Sequence, residues 1–218
     1  MRERGERLLR HSLYRRYIKR ILDILISGLV LVCLSPLFAL LALLVRIFLG
    51  KPILFSQVRP GKDEKLFRLY KFRTMTDARD ADGNLLPDEI RLTKFGQFLR
   101  RTSLDELPEF YNIFRGDMSL IGPRPLLVQY LALYSETQHR RHEVRPGLSG
   151  LAQSHGRNLL SWEERFALDV QYVDQVSFRT DLSIVFATIC GLIKQEGISS
   201  ETSVTMEPFC GSRQEIHQ

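Results

Sequence analysis

The feature that most constrains this chain is an uncharged, apolar run of 22 residues, Ile24 to Val45 (ILISGLVLVCLSPLFALLALLV), interrupted in its middle by Ser35-Pro36. A straight helix of this length would be about 33 Å long, enough for a hydrocarbon core of about 30 Å. Pro36 argues against a straight helix, because it has no N–H to donate to the carbonyl of Val32. Each half is too short to cross a bilayer, so the run predicts a membrane segment that is broken at Ser35-Pro36.

The residues that flank this run indicate how it is placed in a membrane. Short basic flanks prefer the cytoplasm, and a helix-break-helix that enters one leaflet and returns satisfies two such flanks. The Ser35 hydroxyl can then bond a carbonyl that the break frees one turn back. The alternatives are a kinked single-pass helix and a cleaved signal peptide, although the run is longer than a signal-peptide core. Both flanks are basic: Arg15, Arg16, Lys19 and Arg20 precede the run, and Arg46, Lys51, Arg59 and Lys62 follow it.

We therefore predict two parts, residues 1–50 with a basic approach and a re-entrant helix, and residues 51–218 as a cytosolic domain with interfacial helices. The net charge of +6 belongs to the first part, since residues 1–20 hold eight Lys and Arg and two Glu, while the other 198 residues hold 23 of each sign. Apolar residues recur there at helical spacing, which predicts a basic amphipathic helix on an anionic lipid surface; the alternative is a solvated, frayed terminus.

The rest of the composition excludes other classes of partner. The positive excess is confined to one terminus and the body shows no nucleic-acid-binding motif of interleaved basic and aromatic residues, so we predict no nucleic-acid partner. The three cysteines, without a CxxC or a paired histidine, indicate a reducing compartment rather than a disulfide framework or a zinc site.

The remaining sequence predicts a mainly helical α+β fold with one small β-hairpin. Ile53–Gln57 and Leu66–Met75 alternate on either side of Pro60-Gly61 and predict the hairpin, and the polar stretch Asp77–Asp88 predicts a loop. The bulky residues of Val204–Phe209 are expected to pack back onto the domain. Helices are predicted from Leu92 to Arg101, from Ser103 to about Phe114, over Leu126–His139 and Trp162–Val176, and over the short apolar run Leu182–Ile193.

Reactive side chains are densest in two neighbouring motifs, RRTSLDELP (residues 100–108) and GDMSLIGPRP (residues 116–125). Whether a helix starts at Ser103 or is reset by Pro108, Asp105 and Glu106 lie near the positive end of its dipole, which favours carboxylates and phosphates alike. Adjacent carboxylates can hold Mg²⁺ while one of them attacks phosphorus, and nearby arginines offset charge on the phosphoryl oxygens. The motifs therefore predict phosphate chemistry.

Each of these residues also has a structural interpretation. Ser103-x-x-Glu106 matches a capping box, in which Glu106 bonds back to the Ser103 N–H. Arg124 lies between two prolines and is either a guanidinium held rigidly for a phosphate or a loop residue in extended conformation. Lys71 and Arg73, on one face of the predicted hairpin, are compatible with edge-strand charges that prevent aggregation.

Five features in this order resemble the bacterial sugar transferases, the monotopic phosphoglycosyl transferases. The resemblance covers about residues 15–210, and several long motifs in one order are far more specific than a capping box alone. The features are the Ser-Pro-broken membrane segment, Lys71-Phe-Arg-Thr-Met75, Arg101-Thr-Ser-Leu-Asp-Glu-Leu-Pro108, Gly116-Asp-Met-Ser-Leu-Ile-Gly-Pro-Arg-Pro125 and Val144-Arg-Pro-Gly-Leu-Ser-Gly150.

The resemblance implies an enzyme at the cytoplasmic face of the bacterial inner membrane, monotopic, that moves a sugar-1-phosphate from a UDP-sugar to undecaprenyl phosphate and releases UMP. It implies that Asp105 is the nucleophile, that Glu106 assists it, and that Mg²⁺ binds at this pair. The short chain and the stretches Gly156-Arg157-Asn158 and Val204–Phe209 resemble the subgroup that transfers N,N′-diacetylbacillosamine phosphate. The candidate phosphate ligands are Lys71, Arg73, Arg100 and Arg124, and the candidate nucleotide-sugar contacts are Arg145 and Arg157.

Two other functions are compatible with the same residues. A non-catalytic peripheral membrane scaffold would use the motifs as helix caps and lipid-binding patches, and it would show neither turnover nor Mg²⁺ dependence. A metal-dependent hydrolase of nucleotide sugars or lipid phosphates would use the carboxylates to direct water. The acceptor, water or lipid phosphate, distinguishes the hydrolase from the transferase.

Overall fold

Two helices joined at a sharp bend open the described part of the chain. The computed structural model describes residues 13–156, 160–194 and 208–211. A π-helical turn at Tyr14–Ile18 leads into α1 (Lys19–Cys33), and α2 (Ser35–Phe48) follows after Leu34. Within these residues no single helix is long and apolar enough to cross a membrane. The segments Tyr14–Cys33 and Ser35–Phe48, which meet at a bend of 63°, reach that length and apolarity only when they are taken together.

The bend confirms the helix break that Ser35-Pro36 predicts. The structure also shows which group bonds to the carbonyl that the proline leaves without a backbone donor. Pro36 lies in the first turn of α2, where a missing N–H is tolerated. The carbonyl of Val32, which an N–H at position 36 would have satisfied, accepts a hydrogen bond from Ser35 Oγ at 2.8 Å. The serine thus supplies the hydrogen bond that the proline beside it cannot give.

Both helices pack on the remainder of the chain. In α1 the buried Asp23 accepts hydrogen bonds from Ser119 Oγ at 3.1 Å and from the N–H of Leu120 at 3.0 Å. Arg20 donates to the carbonyls of Ile113 and Phe114 at 2.6 and 2.8 Å. The buried residues of the cluster around α2 are Leu41, Val45, Leu49, Phe72 and Leu99.

The predicted hairpin is confirmed, and a second small sheet accompanies it. Strands β1 (Leu54–Pro60) and β2 (Leu66–Phe72) pair antiparallel, with Leu54 opposite Phe72 and Pro60 opposite Leu66. Strands β3 (Ser119–Ile121) and β4 (Gly147–Ser149) pair in parallel. A Cβ on Gly147 would lie 2.0 Å from the Gly122 nitrogen, so the close approach of these two segments requires glycine. Strands of three residues are too short for alternation to predict them.

The segment that carries the acidic pair differs from the predicted helix that starts at Ser103. After the short α3 (Asp88–Arg91), α4 (Lys94–Arg101) confirms the first predicted helix and is capped by Thr93. Ser103 has a left-handed backbone (φ 55°) and is followed by a 3₁₀ turn at Leu104–Glu106. The next helix, α5 (Glu109–Arg115), begins only after Pro108 and ends at Gly116 (φ 102°). The alternative start at Pro108 is therefore the correct one.

The helix predicted over Leu126–His139 is wrong. The chain forms a 3₁₀ turn at Val128–Leu133, becomes extended at Tyr134, and enters the short α6 (Glu136–His139). Ser135 stops any continuous helix, because its side chain and Gln138 form a capping box that starts α6 afresh. A 3₁₀ turn at Arg140–Glu143 follows.

The remaining helices lie against the small parallel sheet. Helix α7 (Leu151–His155) precedes α8 (Trp162–Asp174) and α9 (Phe178–Lys194), and the last two confirm the helices predicted there. Phe209 is buried against Tyr130, Phe166 and Trp162, as expected for the tail, whereas residues 204–207 lie outside the described residues. The predicted amphipathic helix of residues 1–20 is described only from Leu13 onward, and it is helical there.

Candidate active site

The acidic pair lies in the connection between α4 and α5, and α4 fixes where this connection starts. A Cβ on Gly96 would lie 1.8 Å from the carbonyl oxygen of Thr74, so the backbone of α4 rests directly on the segment that follows β2. One turn later Arg100 Nε donates to Thr74 Oγ1 at 3.0 Å. Ser103 then takes a conformation that is unfavourable for a residue with a Cβ, and strain of this kind concentrates at functional sites.

Four chain segments bring two cations to a cluster of carboxylates. Lys71 Nζ from β2 lies 2.6 Å from Glu106 Oε1 and 3.0 Å from Glu109 Oε1. Arg124 Nη2, from the loop after β3, lies 2.8 Å from the same Glu106 oxygen. Asp105 precedes Glu106 in the 3₁₀ turn and is buried. The turn, α5, the hairpin and the loop therefore meet at Glu106.

Asn112 sets the position of Lys71 relative to the carboxylates. It is fully buried in α5, one turn after Glu109. Its Oδ1 accepts from the N–H of Tyr70 at 3.1 Å, and its Nδ2 donates to the carbonyl of Arg68 at 2.8 Å. One edge of β2 pairs with β1, and Asn112 supplies partners along the other edge. Lys71, the next residue of β2, is thereby held at a fixed height beside α5.

The electrostatic environment separates the three carboxyl groups. Burial raises the pKa of Asp105 to about 6; Lys71 opposes this shift and the negative charge of Glu106 adds to it. Burial also acts on Glu106, but Arg124 and Lys71 outweigh it and hold the pKa of that carboxyl well below its usual range. Burial raises the pKa of Glu109, although Lys71 counteracts it. Glu106 is thus held as an anion, while burial disfavours the charged form of Asp105.

The donor set at Asp105 and Glu106 fits a small, hard cation. Among the described residues, no group of three or more His, Cys, Asp or Glu could hold a metal ion, so a cation at this pair would have two carboxylate ligands from the protein. Lys71 and Arg124 both contact Oε1 of Glu106, and Oε2 takes no part in these contacts. Mg²⁺ is commonly bound by one or two carboxylates and keeps waters and substrate phosphates as its other ligands. The magnesium site remains a prediction.

The structure places the other predicted residues in different surroundings. Arg73 is buried and braces the backbone, since it donates to the carbonyls of Met75 and Lys51 at 2.6 and 2.5 Å. Its remaining nitrogen lies 2.8 Å from Asp77, so the contacts of this guanidinium are with these groups rather than with the acidic pair. Arg145 Nε donates to the carbonyl of Gly116 at 2.9 Å, at the end of α5. Arg157 lies outside the described residues.

Two residues of the site escape the sequence analysis. Glu109, the third carboxylate, follows Pro108 at the first position of α5, where an acidic residue is ordinary on dipole grounds. Its burial is the unusual property, and burial depends on the approach of Lys71 from a distant strand. Asn112 gives no signal at all, because its partners are backbone groups of β2.

The capping-box interpretation of Ser103 and Glu106 is wrong. The Ser103 side chain makes no capping hydrogen bond, and the carboxylate of Glu106 faces Lys71 and Arg124 instead of the Ser103 N–H. The carboxylate cluster is therefore not a by-product of starting a helix.

Comparison with known proteins identifies the chain at the level of its family. The model of the family described as bacterial sugar transferase matches residues 14–195. The chain belongs to the bacterial sugar transferase family. This membership confirms the resemblance seen in the motifs and the prediction that the chain is a transferase enzyme, and it speaks against a non-catalytic scaffold.

Individual relatives of this sugar transferase differ in length. The uncharacterized sugar transferase EpsL of Bacillus subtilis (strain 168) is 52% identical over 89% of this chain and 96% of its own length. The exopolysaccharide production protein ExoY of Sinorhizobium fredii (strain NBRC 101917 / NGR234) is 39% identical over 82% of this chain and 87% of its own length. The UDP-glucose:undecaprenyl-phosphate glucose-1-phosphate transferase of Klebsiella pneumoniae is 40% identical over 78% of this chain. The match spans 39% of that longer relative.

Proposed function

We propose that this sugar transferase moves a sugar-1-phosphate from a UDP-sugar to undecaprenyl phosphate and releases UMP, the first membrane-bound step of a glycoconjugate or polysaccharide pathway. The observation that carries the proposal is the arrangement at Glu106: this partly buried anion binds Lys71 and Arg124 next to the buried carboxyl group of Asp105. Two fixed cations next to a carboxylate nucleophile suit phosphoryl transfer. The name of the Klebsiella relative supports the choice of donor and acceptor.

In the first step a carboxylate oxygen of Asp105 attacks the phosphorus that carries the sugar. An O–P bond forms to Asp105, the bond from this phosphorus to the bridging oxygen breaks, and UMP leaves with the electron pair. Lys71 and Arg124 stabilise the negative charge that spreads over the phosphoryl oxygens. Glu106 orients both cations, and Arg100, whose charge also acts on Asp105, adds to the positive field.

In the second step a phosphate oxygen of undecaprenyl phosphate attacks the same phosphorus. The O–P bond to Asp105 breaks, the carboxylate is regenerated, and the lipid carries a diphosphate-linked sugar. Asp105 and Glu106 would hold Mg²⁺, which when bound neutralises charge on the substrate phosphates. The covalent route predicts ping-pong kinetics, because UMP leaves before the lipid binds.

We further propose that the bent pair α1–α2 is a re-entrant membrane element on the cytoplasmic side of the inner membrane. The 63° bend and the Ser35 to Val32 hydrogen bond support it, as do the exposed apolar side chains of Leu25, Leu29 and Val32. Helix α9 presents a second exposed apolar face that suits the membrane surface: Phe178, Leu182, Phe186 and Ile189.

The reaction is tested by incubating the membrane fraction with a panel of UDP-sugars, including UDP-glucose and UDP-N,N′-diacetylbacillosamine, with and without undecaprenyl phosphate. We expect UMP release that requires Mg²⁺, a lipid-linked product when the acceptor is present, and a sugar-phosphate mass increase on the peptide containing Asp105. Free sugar-1-phosphate formed at the same rate without lipid would instead indicate a hydrolase. Strictly sequential kinetics without an adduct would contradict the covalent route.

Membrane placement is tested by cysteine labelling at engineered sites before Ile21 and after Leu49. Both sites should react only from the cytoplasmic side. Labelling of one site from the periplasm would contradict the re-entrant arrangement. Pro36→Ala restores a backbone donor and should favour a straighter helix, so it serves as a variant in which the two flanks are expected to separate.

A further inference from the structure

The loop that carries Arg124 has unusually few backbone groups with which to fix its position. Pro123 and Pro125 on either side of Arg124 have no N–H. Two hydrogen bonds tie the start of the loop to β4: the N–H of Gly122 donates to the carbonyl of Ser149 at 2.8 Å, and the N–H of Gly147 donates to the carbonyl of Pro123 at 2.9 Å. The backbone at Arg124 itself needs another support.

A buried arginine supplies that support. Arg141 Nη2 donates to the carbonyl oxygen of Arg124 at 2.7 Å. The same guanidinium binds Asp169 Oδ2 through Nε at 3.0 Å and through Nη2 at 2.7 Å. Side chains of Tyr134 and Phe166 close over it, with ring centroids 5.7 and 5.6 Å from the guanidinium carbon. Arg141 thus links α8, which carries Asp169, to the backbone of the loop.

The burial of this ion pair argues for a role in positioning. The side chains of Arg141 and Asp169 are 2% and 1% exposed. Removing two charges from water is expensive, and well-packed apolar residues at such sites are often as stabilising or more so. The cation of this buried pair also binds a main-chain oxygen and so fixes the position of that oxygen, which apolar residues could not do.

We propose that Arg141 and Asp169 are positioning residues that hold the backbone of Arg124 where its side chain can bind Glu106. Asp169 orients Arg141, Arg141 fixes the carbonyl of Arg124, and the Arg124 side chain then reaches Glu106 Oε1 at 2.8 Å. The catalytic consequence rests on the proposed function, in which Arg124 stabilises charge on the transferred phosphoryl group. Small displacements of such a group lower turnover strongly.

The chain offers a matched control for the test. Arg140 and Asp174 form a second ion pair between the same two elements, the turn Arg140–Glu143 and α8, but this pair is more exposed and does not bind the Arg124 carbonyl. The test variant is Arg141→Met/Asp169→Leu, which removes both charges of the pair together. The control variant is Arg140→Gln/Asp174→Asn. Both are purified as full-length chains, and their folding is checked by thermal unfolding.

We expect the test variant to release UMP at least about tenfold more slowly than the wild type, through kcat rather than KM, and the control to stay within about twofold. In an Arg124→Lys background the test substitutions should add less than about twofold, because they act through a guanidinium that is already absent. Wild-type turnover, or effects that multiply independently of Arg124→Lys, would overturn the proposal. If the double variant does not fold, Arg141→Lys replaces it: its single ammonium keeps the charge opposite Asp169 but cannot bind both groups as the guanidinium does.

Amide hydrogen exchange gives a readout that needs no substrate. Exchange over residues 119–128 should be at least about tenfold faster in the test variant than in the wild type or the control, because the Arg124 carbonyl has lost its anchor. If exchange is faster in the test variant but the wild type releases no UMP from any UDP-sugar, the proposed function is refuted and the positioning role is retained. Unchanged exchange over residues 119–128 would refute the positioning role whatever the activity.

Discussion

Ser103 and Glu106 have the same spacing as Ser161 and Glu164, but the two segments fold differently. The N–H of Glu164 donates to Ser161 Oγ at 3.2 Å, and the carboxylate of Glu164 accepts from the N–H of Ser161 at 2.9 Å, so this pair caps α8. Ser103 caps nothing, and its backbone is left-handed. Glu106 turns toward two cations from other parts of the chain.

The difference shows when tertiary contacts override a local signature. A cap of this kind is worth about 1 kcal/mol, whereas hydrogen bonds between ionised groups are roughly twice as strong as neutral ones. Lys71 and Arg124 offer Glu106 two such bonds. Pro108, two residues later, sets the start of α5 independently. Residues 103–106, the site segment, therefore form a charged cluster beside Asp105 instead of a helix cap.

The largest expected effect comes from Asp105→Asn. If the site segment is catalytic, this variant loses its nucleophile, and UMP release should fall by at least about 10³-fold while the protein remains folded. The control is Glu164→Gln in residues 161–164, the capping segment, and it should leave UMP release unchanged. Release by the Asp105 variant at a rate near that of the wild type would remove the functional distinction between the two segments.

Glu106→Gln tests whether the anion matters through the cations it holds. We expect a loss of about 10²-fold in kcat, since an amide cannot neutralise Lys71 and Arg124 or fix both. The measurement is steady-state UMP release at saturating UDP-sugar. A loss seen only in KM would mean that Glu106 contributes to substrate binding without orienting the two cations in the transition state.

Local patterns predict much of the fold, because the hairpin, the break at Ser35-Pro36 and the long helices α8 and α9 each depend on residues close in sequence. The acidic pair is also visible in the motif. Lys71 and Arg124 are named from the sequence too, but the residues that surround and position them are not: Glu109, Asn112 and the Arg141–Asp169 pair acquire their roles only when β2, α5, α8 and the loop approach one another. The wrong helix over Leu126–His139 had a local warning, since Ser135-x-x-Gln138 is itself a capping box.

The free energy of unfolding, measured in the presence of a chelator, should depend on pH with opposite signs for Asp105 in the site segment and Glu164 in the capping segment. Burial raises the pKa of Asp105 from 3.8 to about 6, so the folded state binds more protons than the unfolded state in this range and stability falls as pH rises through it. Asp105→Asn should therefore be more stable than the wild type at pH 7.5, by up to about 3 kcal/mol, and this advantage should vanish below about pH 4.

Glu164 gives the matched comparison. Hydrogen bonds from the Ser161 backbone and hydroxyl lower the pKa of Glu164, so the stability it contributes is present at neutral pH and is lost as pH falls through this lowered value. Glu164→Gln should accordingly be less stable than the wild type at pH 7.5 and should approach it in acid. The same sign for both variants would contradict the electrostatic contrast between the segments.

The smallest effects come from the two serines, and they test the comparison most directly. Ser161→Ala removes a working cap and should lower the unfolding free energy by about 0.5–2 kcal/mol. Ser103→Ala should change it little, because the Ser103 side chain caps no helix. Ser103→Gly should raise it by about 1 kcal/mol or less, since glycine relieves the left-handed backbone at φ 55° but also makes the unfolded chain more flexible. Thermal or denaturant unfolding of the three variants in one detergent measures all of these changes. A loss at Ser103→Ala equal to that at Ser161→Ala would show that Ser103 does start a helix in solution, and the charged cluster would then have to coexist with a cap.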